Sequence, residues 1–243
     1  MSLAMAIRLL TRIWIPGKET EKHERTLFWF PFVGALLGLV SFLISLISLP
    51  PSILSILIIS ASVYLTRALH YDGLADFADG LGGGYTKERA LEIMRDSHIG
   101  AFGTITLILV FLLQYSLLTA VVHVPLSLIL TPVIGRFAQV WVISLMKYAR
   151  EGEGMAAILV RRSAWYHALL PTLQIILLVG YLFISKNPYA EATLLALGFA
   201  TIITMFVALT AHKRLGGVTG DVLGSVEVLA EVGALLGFAV GLA

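Results

Sequence analysis

Seven long apolar runs constrain the fold of this chain more than any other feature of its sequence. Each spans about 17 to 25 residues, the length that an α-helix needs to cross the hydrocarbon core of a membrane. A transmembrane β-barrel would instead show segments of about ten residues in which apolar and polar side chains alternate. We therefore predict an all-α, polytopic membrane bundle with spans at Leu27–Leu49, Ser52–Leu69, Gly103–Val122, Leu126–Met146, Ala168–Ile184, Ala192–Ala211 and Val222–Ala243.

The composition agrees with a membrane protein and excludes several classes of function. Only 13% of the 243 residues are charged, whereas soluble domains carry about 25%. The chain has no cysteine, which excludes disulfides and thiolate chemistry. A net charge of +2 gives no reason to expect nucleic acid as a partner. We expect a single membrane-embedded domain over residues 1–243, in which residues 1–26 form an amphipathic segment at the membrane surface.

The distribution of basic residues predicts the orientation of the spans. Loops on one side of the predicted membrane hold fourteen Lys and Arg, whereas Lys186 is the only one in the loops of the other side. Cytoplasmic loops of membrane proteins carry such an excess of Lys and Arg. We therefore predict a multi-pass protein of the cell membrane, with a cytoplasmic amino terminus and lipid as its surroundings.

Acidic residues gather at one point of this apolar chain. The chain has five aspartates, and Asp72, Asp76 and Asp79 fall within eight residues. If the second span continues as a helix through them, at about 100° per residue they share one narrow stripe. Like charges on one helix face destabilise it unless they are neutralised. Because Mg²⁺ prefers oxygen ligands and leaves room for phosphate, these three aspartates are candidate Mg²⁺ ligands, although a solvated helix end is the alternative.

Two other segments on the predicted cytoplasmic side carry the remaining aspartates. Thr86 can cap a helix that holds Arg95 and Asp96 on one face, where they would suit a phosphate clamp beside a metal or ordinary surface ion pairs. The segment HKRLGGVTGDVLG places Lys213 and a glycine-rich loop before Asp221, at the start of the last span. A glycine-rich loop that leads into a helix amino terminus can bind an anion, but it is also a common connector.

Charged residues inside the apolar runs require partners. An arginine in the centre of a span costs about 2.5 kcal/mol or more on insertion scales, so Arg136 is expected to face the bundle interior. Its partner could be a carboxylate or a substrate phosphate, and the sequence leaves both open. Glu227 and Glu231 make the last predicted span the weakest of the seven.

Four motifs resemble one family of membrane enzymes. They are LLTRIWIPG (residues 9–17), HYDGLADFADG (His70–Gly80), RALEIMRDSHIGAFG (Arg89–Gly103) and LGGVTGDVLG (Leu215–Gly224). In this order the chain resembles the adenosylcobinamide-GDP ribazoletransferases, the membrane-bound cobalamin synthases. The resemblance extends over nearly the whole chain, with minor departures such as Tyr71 and Phe77 beside the acids.

The resemblance implies a Mg²⁺-dependent transferase whose small-molecule partners are adenosylcobinamide-GDP and α-ribazole or its 5′-phosphate. A ribose hydroxyl attacks the cobinamide-linked phosphorus, GMP leaves, and cobalamin or its phosphate forms. Phosphoryl transfer needs metal ions that hold the diphosphate and neutralise developing charge. On this hypothesis Asp72, Asp76 and Asp79 bind Mg²⁺, and Asp96 and Asp221 complete or orient the site. Candidate contacts to the diphosphate are Arg95, Arg136 and Lys213.

Three other functions also place carboxylates in membrane proteins. CDP-alcohol phosphotransferases carry D-G-x-x-A-R, but Asp76 and Phe77 occupy the last two positions here. Intramembrane prenyltransferases usually have two aspartate clusters, and this chain has one. An ion-coupled transporter would hold its carboxylates near the middle of the membrane, whereas these lie at helix ends. A homo-oligomer is left open, because Gly34, Ala35 and Gly38 would support close helix packing.

Overall fold

The protein is a bundle of α-helices, as the apolar runs predicted. The computed structural model describes residues 2–16, 22–152 and 154–243, so Met1 and residues 17–21 of the predicted surface segment lie outside the described residues. The α-helices within these ranges are α1 (Ser2–Leu10), α2 (Phe30–Ser45), α3 (Pro51–Leu65), α4 (Leu69–Gly83), α5 (Lys87–Ile93), α6 (Ala101–Val121), α7 (Pro125–Leu145), α8 (Met155–Arg162), α9 (Leu169–Ile184), α10 (Ala190–Leu215) and α11 (Gly220–Gly241). Two 3₁₀ helices, His23–Trp29 and Trp165–Ala168, precede α2 and α9 and lengthen them.

Six helical segments of the described chain are long and apolar enough to cross a membrane. They are His23–Ser45, Ala101–Val121, Pro125–Leu145, Trp165–Ile184, Ala190–Leu215 and Gly220–Gly241. Their centres agree with six of the seven predicted spans. The remaining predicted span, Ser52–Leu69, falls on α3, which is long enough to cross a membrane only together with α4. These two helices form an angle of 88°.

The helix through the three aspartates does not continue the second span, and this part of the prediction was wrong. α3 ends at Leu65, and Arg67 and Ala68 adopt positive φ angles of 58° and 55°. Left-handed backbone is uncommon for residues other than glycine, and here it turns the chain before α4 begins at Leu69. The expectation that Asp72, Asp76 and Asp79 share one helix is confirmed, but that helix is separate and leaves α3 at a steep angle.

The last helix, predicted as the weakest span, lies at the centre of the bundle. α11 packs against α4, α6, α7 and α10, and Glu227 and Glu231 are 4% and 8% exposed. The two carboxylates therefore face protein rather than lipid. This agrees with the rule that ionisable residues within membrane helices point into the bundle.

The small residues of α2 serve packing within the chain. A Cβ atom on Gly34 would lie 2.5 Å from the carbonyl oxygen of Pro132, and one on Gly38 would lie 2.6 Å from Cα of Ile129. Both positions therefore allow the backbones of α2 and α7 to touch, as small residues do between membrane helices. Since this surface is used inside one chain, these glycines give no support to a homo-oligomer.

Part of the predicted surface segment is helical and amphipathic. α1 buries Met5, Ala6, Ile7 and Leu10 against the 3₁₀ helix before α2 and against α2 itself. Trp14, which follows α1, is 74% exposed. An exposed tryptophan beside a basic helix suits a membrane interface, and the surface location of this segment stays a prediction.

Candidate active site

Close contact between α4 and α11 brings two of the aspartate motifs together. A Cβ atom on Gly73 would lie 2.8 Å from Cα of Asp221, and one on Gly224 would lie 3.0 Å from the carbonyl oxygen of His70. The Ser225 hydroxyl donates to the carbonyl of Gly73 at 3.3 Å across this crossing. At Gly73 a side chain would occupy the space of the facing backbone, and at Gly224 the facing backbone of His70 would have to move by a few tenths of an ångström. The first turn of α11 therefore lies beside the aspartate face of α4.

Asp76 is at the centre of a concentration of negative charge. It is half-buried on α4, and the carboxylates near enough to repel its charge are those of Asp221, Asp72 and Asp79, whereas Arg150 attracts it. Three aspartates from two helices thus add to the negative potential at Asp76, and among the described residues Arg150 offsets part of it. Such an arrangement favours the binding of a cation or the uptake of a proton, because either relieves the repulsion.

Asp79 has a structural role that the sequence did not reveal. Its two carboxylate oxygens accept hydrogen bonds from the backbone N–H groups of Gly100 at 2.7 Å and Gly103 at 2.9 Å. These amides belong to the first turn of α6, where N–H groups have no partner within the helix. The carboxylate therefore caps α6 and joins it to α4, and of the three predicted ligands it is the one whose two oxygens are both engaged.

Arg150 is a residue of the site that the sequence analysis did not single out. Its guanidinium lies 2.9 Å from the carboxylate of Asp221, and both side chains are largely buried. A parallel bridge between Tyr148 and Val218 holds the chain after α7 against the loop before α11. The ion pair depends on this contact between segments that are distant in the sequence. The only sequence signal for Arg150 was therefore the general excess of Lys and Arg in the predicted cytoplasmic loops.

Arg136 pairs with a carboxylate, one of the two alternatives left by the sequence. It is 1% exposed, its guanidinium forms an ion pair with Glu227 of α11, and Glu227 also faces His70 at 3.7 Å. The pair joins α7 to α11 and, through His70, to α4. The expected contact of Arg136 with a diphosphate is therefore not supported, because its charge is already neutralised inside the bundle.

Three other predicted site residues lie at the surface. α5 ends at Ile93, so Arg95 and Asp96 follow the helix rather than sharing its face, which corrects the expectation. The backbone N–H and ring of His98 both bond Asp96 Oδ1, and these bonds lower the pKa of Asp96. Lys213, near the end of α10, is exposed. The structure thus leaves these three outside the group formed by α4 and α11.

The cap predicted for α5 and the glycine-rich loop are confirmed in their geometry. The Thr86 hydroxyl accepts a hydrogen bond from the N–H of Arg89 at 3.2 Å, and α11 begins at Gly220, directly before Asp221. Arg214 donates to the carbonyls of Leu81 and Gly84 at the end of α4. The loop between α10 and α11 is thereby tied to the aspartate helix.

The chemistry of the aspartate group fits Mg²⁺, although it does not form a complete cage. No three His, Asp or Glu side chains within the described ranges converge closely enough to hold an ion by themselves. Mg²⁺ usually keeps several waters and binds one or two carboxylates together with substrate phosphates. The donors around Asp76 are oxygens with an excess of negative charge, so Asp72, Asp76 and Asp221 suit such an ion, and the engaged Asp79 suits it least.

Comparison with known proteins gives consistent matches along the chain. A family model described as cobalamin-5-phosphate synthase matches residues 2–239. A protein named adenosylcobinamide-GDP ribazoletransferase from Prosthecochloris aestuarii is 40% identical over 235 residues, which cover 94% of this chain and 93% of that protein. Proteins of the same name from Chlorobaculum tepidum and Azorhizobium caulinodans are 35% and 34% identical, covering 94% and 96% of this chain and 91% and 92% of theirs. No solved structure matches the chain.

Proposed function

The chain belongs to the cobalamin-5-phosphate synthase family, and we propose that it joins adenosylcobinamide-GDP to α-ribazole or α-ribazole 5′-phosphate in a Mg²⁺-dependent reaction. The resemblance drawn from the sequence motifs is confirmed by these relatives, which makes the protein a membrane transferase of cobalamin biosynthesis. The identity of the substrates and the requirement for Mg²⁺ are the parts that we propose. The observation that carries them is the meeting of Asp72 and Asp76 on α4 with Asp221 on α11.

The proposed reaction is a phosphoryl transfer between two small molecules. An oxygen–phosphorus bond forms between a ribose hydroxyl of the acceptor and the cobinamide-linked phosphorus. The bond from that phosphorus to the bridging oxygen of the diphosphate breaks, GMP departs, and the hydroxyl proton is lost. Such reactions need positioning and charge stabilisation more than covalent participation by the protein.

In this reaction the aspartates bind and orient. Asp72, Asp76 and Asp221 would hold Mg²⁺, which when bound neutralises charge on the diphosphate. Asp79 fixes α4 against α6 through the amides of Gly100 and Gly103, and so keeps the other aspartates in position. The proton of the acceptor hydroxyl would pass to one of the aspartates, and the residue that accepts it is left open.

Arg150, beside the aspartates, and two basic side chains at the surface would bind the diphosphate. Arg150 already bonds a carboxylate of the group, and a guanidinium can bind phosphate oxygens through two parallel hydrogen bonds. We therefore add Arg150 to Arg95 and Lys213, the surface residues proposed from sequence. Asp96 would orient this surface through His98 rather than bind the metal.

The site is proposed to face the cytoplasm, since the loops around it carry nearly all the Lys and Arg of the predicted loops. The chain has no native cysteine, so a single introduced cysteine reports its own exposure. Tyr85, six residues after Asp79, is 94% exposed. A Tyr85→Cys protein should react with an impermeant thiol reagent only from the cytoplasmic side, and an Ile47→Cys protein only from the other. The reverse pattern would overturn the orientation.

The activity itself is tested by measuring GMP release by the purified protein. Adenosylcobinamide-GDP, α-ribazole and Mg²⁺ should yield GMP, and omission of any one should abolish it. Asp76→Asn should lower kcat by at least about a hundredfold, as loss of one charge-stabilising group does in other enzymes. Glu191→Gln is the matched control, because Glu191 is an exposed carboxylate in the first turn of α10, outside the motifs. Full activity of Asp76→Asn, or no activity of the wild type, would refute the proposal.

A further inference from the structure

The motif LLTRIWIPG, which follows α1, has no part in the proposed reaction. The N–H of Arg12 in this motif donates to the carbonyl of Leu65 at 2.6 Å, and its Nε donates to the carbonyl of Tyr64 at 3.1 Å. The guanidinium lies 4.2 Å from the centre of the Tyr64 ring, where a cation is attracted to the face of the ring. Arg12 is therefore held against the end of α3, although its side chain is exposed.

A second arginine is held at the turn between α3 and α4. Nη2 of Arg67 donates to the carbonyls of Arg8 and Leu9, in each case at 3.3 Å, and this side chain is also exposed. Within the described ranges neither Arg12 nor Arg67 forms an ion pair with a carboxylate. Backbone carbonyls orient the two guanidinium groups but do not neutralise them, so two positive charges are available to an anion.

Both arginines line an open groove whose other walls are mainly apolar. The groove lies between α3 and α6 and has a volume of about 520 Å³. Its apolar lining comes from Ile59, Val63, Tyr64, Ala68 and Phe111. Large apolar side chains elsewhere on the two helices, such as Ile56 and Leu112, are exposed. Because α6 is also long and apolar enough to cross a membrane, the groove opens toward lipid.

The charges and the apolar walls together select one kind of occupant. An anionic phospholipid brings acyl chains for the walls and a phosphodiester, whose oxygens a guanidinium binds through parallel hydrogen bonds. In a zwitterionic lipid the ammonium group already offsets the phosphate, and a soluble phosphate would leave the apolar walls without a partner. Basic pockets between membrane helices on the cytoplasmic side bind anionic headgroups. Tyr64 and Trp14 are 61% and 74% exposed, as aromatic residues at the headgroup level are.

We propose that the groove between α3 and α6 binds one anionic phospholipid, whose phosphate contacts Arg12 and Arg67. The lipid would connect the segment after α1 to the turn that directs α4, the helix of the aspartates. Phe111 joins the groove to the same helix, since its ring stacks on that of Tyr71 with the ring centres 4.8 Å apart. Lipid binding at this groove does not depend on the substrates proposed above.

Competition between two lipids tests the site. The protein is released from nanodiscs that hold equal amounts of phosphatidylglycerol and phosphatidylcholine with the same acyl chains, and the bound lipids are counted by native mass spectrometry. The wild type should retain phosphatidylglycerol at least about tenfold more often, since each arginine near the membrane surface contributes about fivefold. Arg12→Gln and Arg67→Gln should each lower this ratio about fivefold. Arg12→Lys and Arg67→Lys keep the charge and should lower it less than about twofold.

Arg25→Gln is the matched control, because Arg25 is exposed on the predicted cytoplasmic side and lies outside the groove. It should leave the ratio within about twofold of the wild type. Equal retention of both lipids by the wild type would refute the site, and so would glutamine variants at Arg12 and Arg67 that behave like Arg25→Gln. Lysine variants as weak as the glutamine variants would show that charge is not what binds the lipid. If a large excess of pyrophosphate removes the preference, the arginines bind a soluble phosphate and the lipid site is wrong.

A measurement on the wild type covers the case in which the variants do not fold. Both lipids are prepared with a photoreactive acyl chain, and the labelled residues are mapped. The phosphatidylglycerol probe should label Val63 and Phe111 at least about fivefold more than the phosphatidylcholine probe does. The two probes should label Leu177 equally, since it is exposed on α9. Equal labelling of the groove by both probes would exclude it as an anionic lipid site.

Discussion

Replacement of Gly73 by alanine should lower the rate of the transfer reaction about a hundredfold in a protein that still folds. The added Cβ atom would lie 2.8 Å from Cα and 2.9 Å from the carbonyl oxygen of Asp221. Non-bonded carbon atoms prefer a separation of about 3.5–4.0 Å, so the facing backbones must move apart by about 1 Å. Both atoms that collide belong to the backbone, and no flexible side chain can yield in their place.

This shift has one consequence for folding stability and another for the rate of the reaction. Overpacking of a well-packed contact costs about 1–3 kcal/mol, and the better helix propensity of alanine returns up to about 1 kcal/mol. The net loss of folding stability should therefore be about 0–3 kcal/mol. A displacement of about 1 Å in a catalytic arrangement can cost about a hundredfold in rate, and here it separates Asp72 and Asp76 from Asp221.

The assay compares GMP release and thermal unfolding for the Gly73→Ala protein with those of a matched variant. Gly198→Ala makes the same change in α10, where an added Cβ atom would meet nothing within 4 Å. It should keep wild-type activity and gain up to about 1 kcal/mol of folding stability from the better helix propensity of alanine. If Gly73→Ala retains activity within about twofold of Gly198→Ala, the close approach of α4 and α11 does not assemble the site and the reasoning is refuted.

Three further substitutions test single contacts of the structure. The Asp79→Asn protein should lose about 1–2 kcal/mol of folding stability, because the substitution weakens the cap of α6. Its Mg²⁺ concentration for half-maximal activity should shift less than that of the Asp76→Asn protein. An equal shift would show that Asp79 is a Mg²⁺ ligand. The Arg136→Met protein should lose about 3–5 kcal/mol of folding stability, measured by thermal unfolding, because the substitution leaves the charge of Glu227 buried and unpaired. Adding Glu227→Gln should restore most of this stability. A double variant as unstable as the single one would contradict the ion pair between Arg136 and Glu227. Arg150→Ala should raise the KM for adenosylcobinamide-GDP about tenfold, as the loss of a charged hydrogen bond does, and an unchanged KM would remove Arg150 from the diphosphate site.

Features that depend only on residues close together along the chain were predictable from the sequence. Apolar runs located the helices at Ala101–Val121, Pro125–Leu145 and Gly220–Gly241 to within a few residues, because the hydrocarbon thickness sets the length of a span. Spacing at about 100° per residue placed Asp72, Asp76 and Asp79 on one helix. Both arguments use only the local pattern of side chains. The positions of the three long helices confirm the first, and the presence of all three aspartates on α4 confirms the second.

Features that depend on contacts between distant segments were not predictable in this way. The turn at Arg67 and Ala68 uses left-handed backbone that their residue types disfavour, so the continuous helix expected there was wrong. Asp79 is one of three similar aspartates in the sequence, and only the position of α6 makes it a cap. Arg136 could have met a phosphate or a carboxylate, and only the packing of α11 against α7 supplied Glu227.

The sequence by itself thus determined the all-α membrane bundle, the family, and the acids from which the candidate site is built. Hydropathy and helical periodicity report which way each side chain faces along its own helix. The tertiary structure decided which acids meet, through the glycine contact of α4 with α11, and it revealed the pair Arg150–Asp221 and the groove between α3 and α6. These depend on how separate helices pack: the amide nitrogen of Gln139, for example, donates to the carbonyl of Leu223, 84 residues away along the chain.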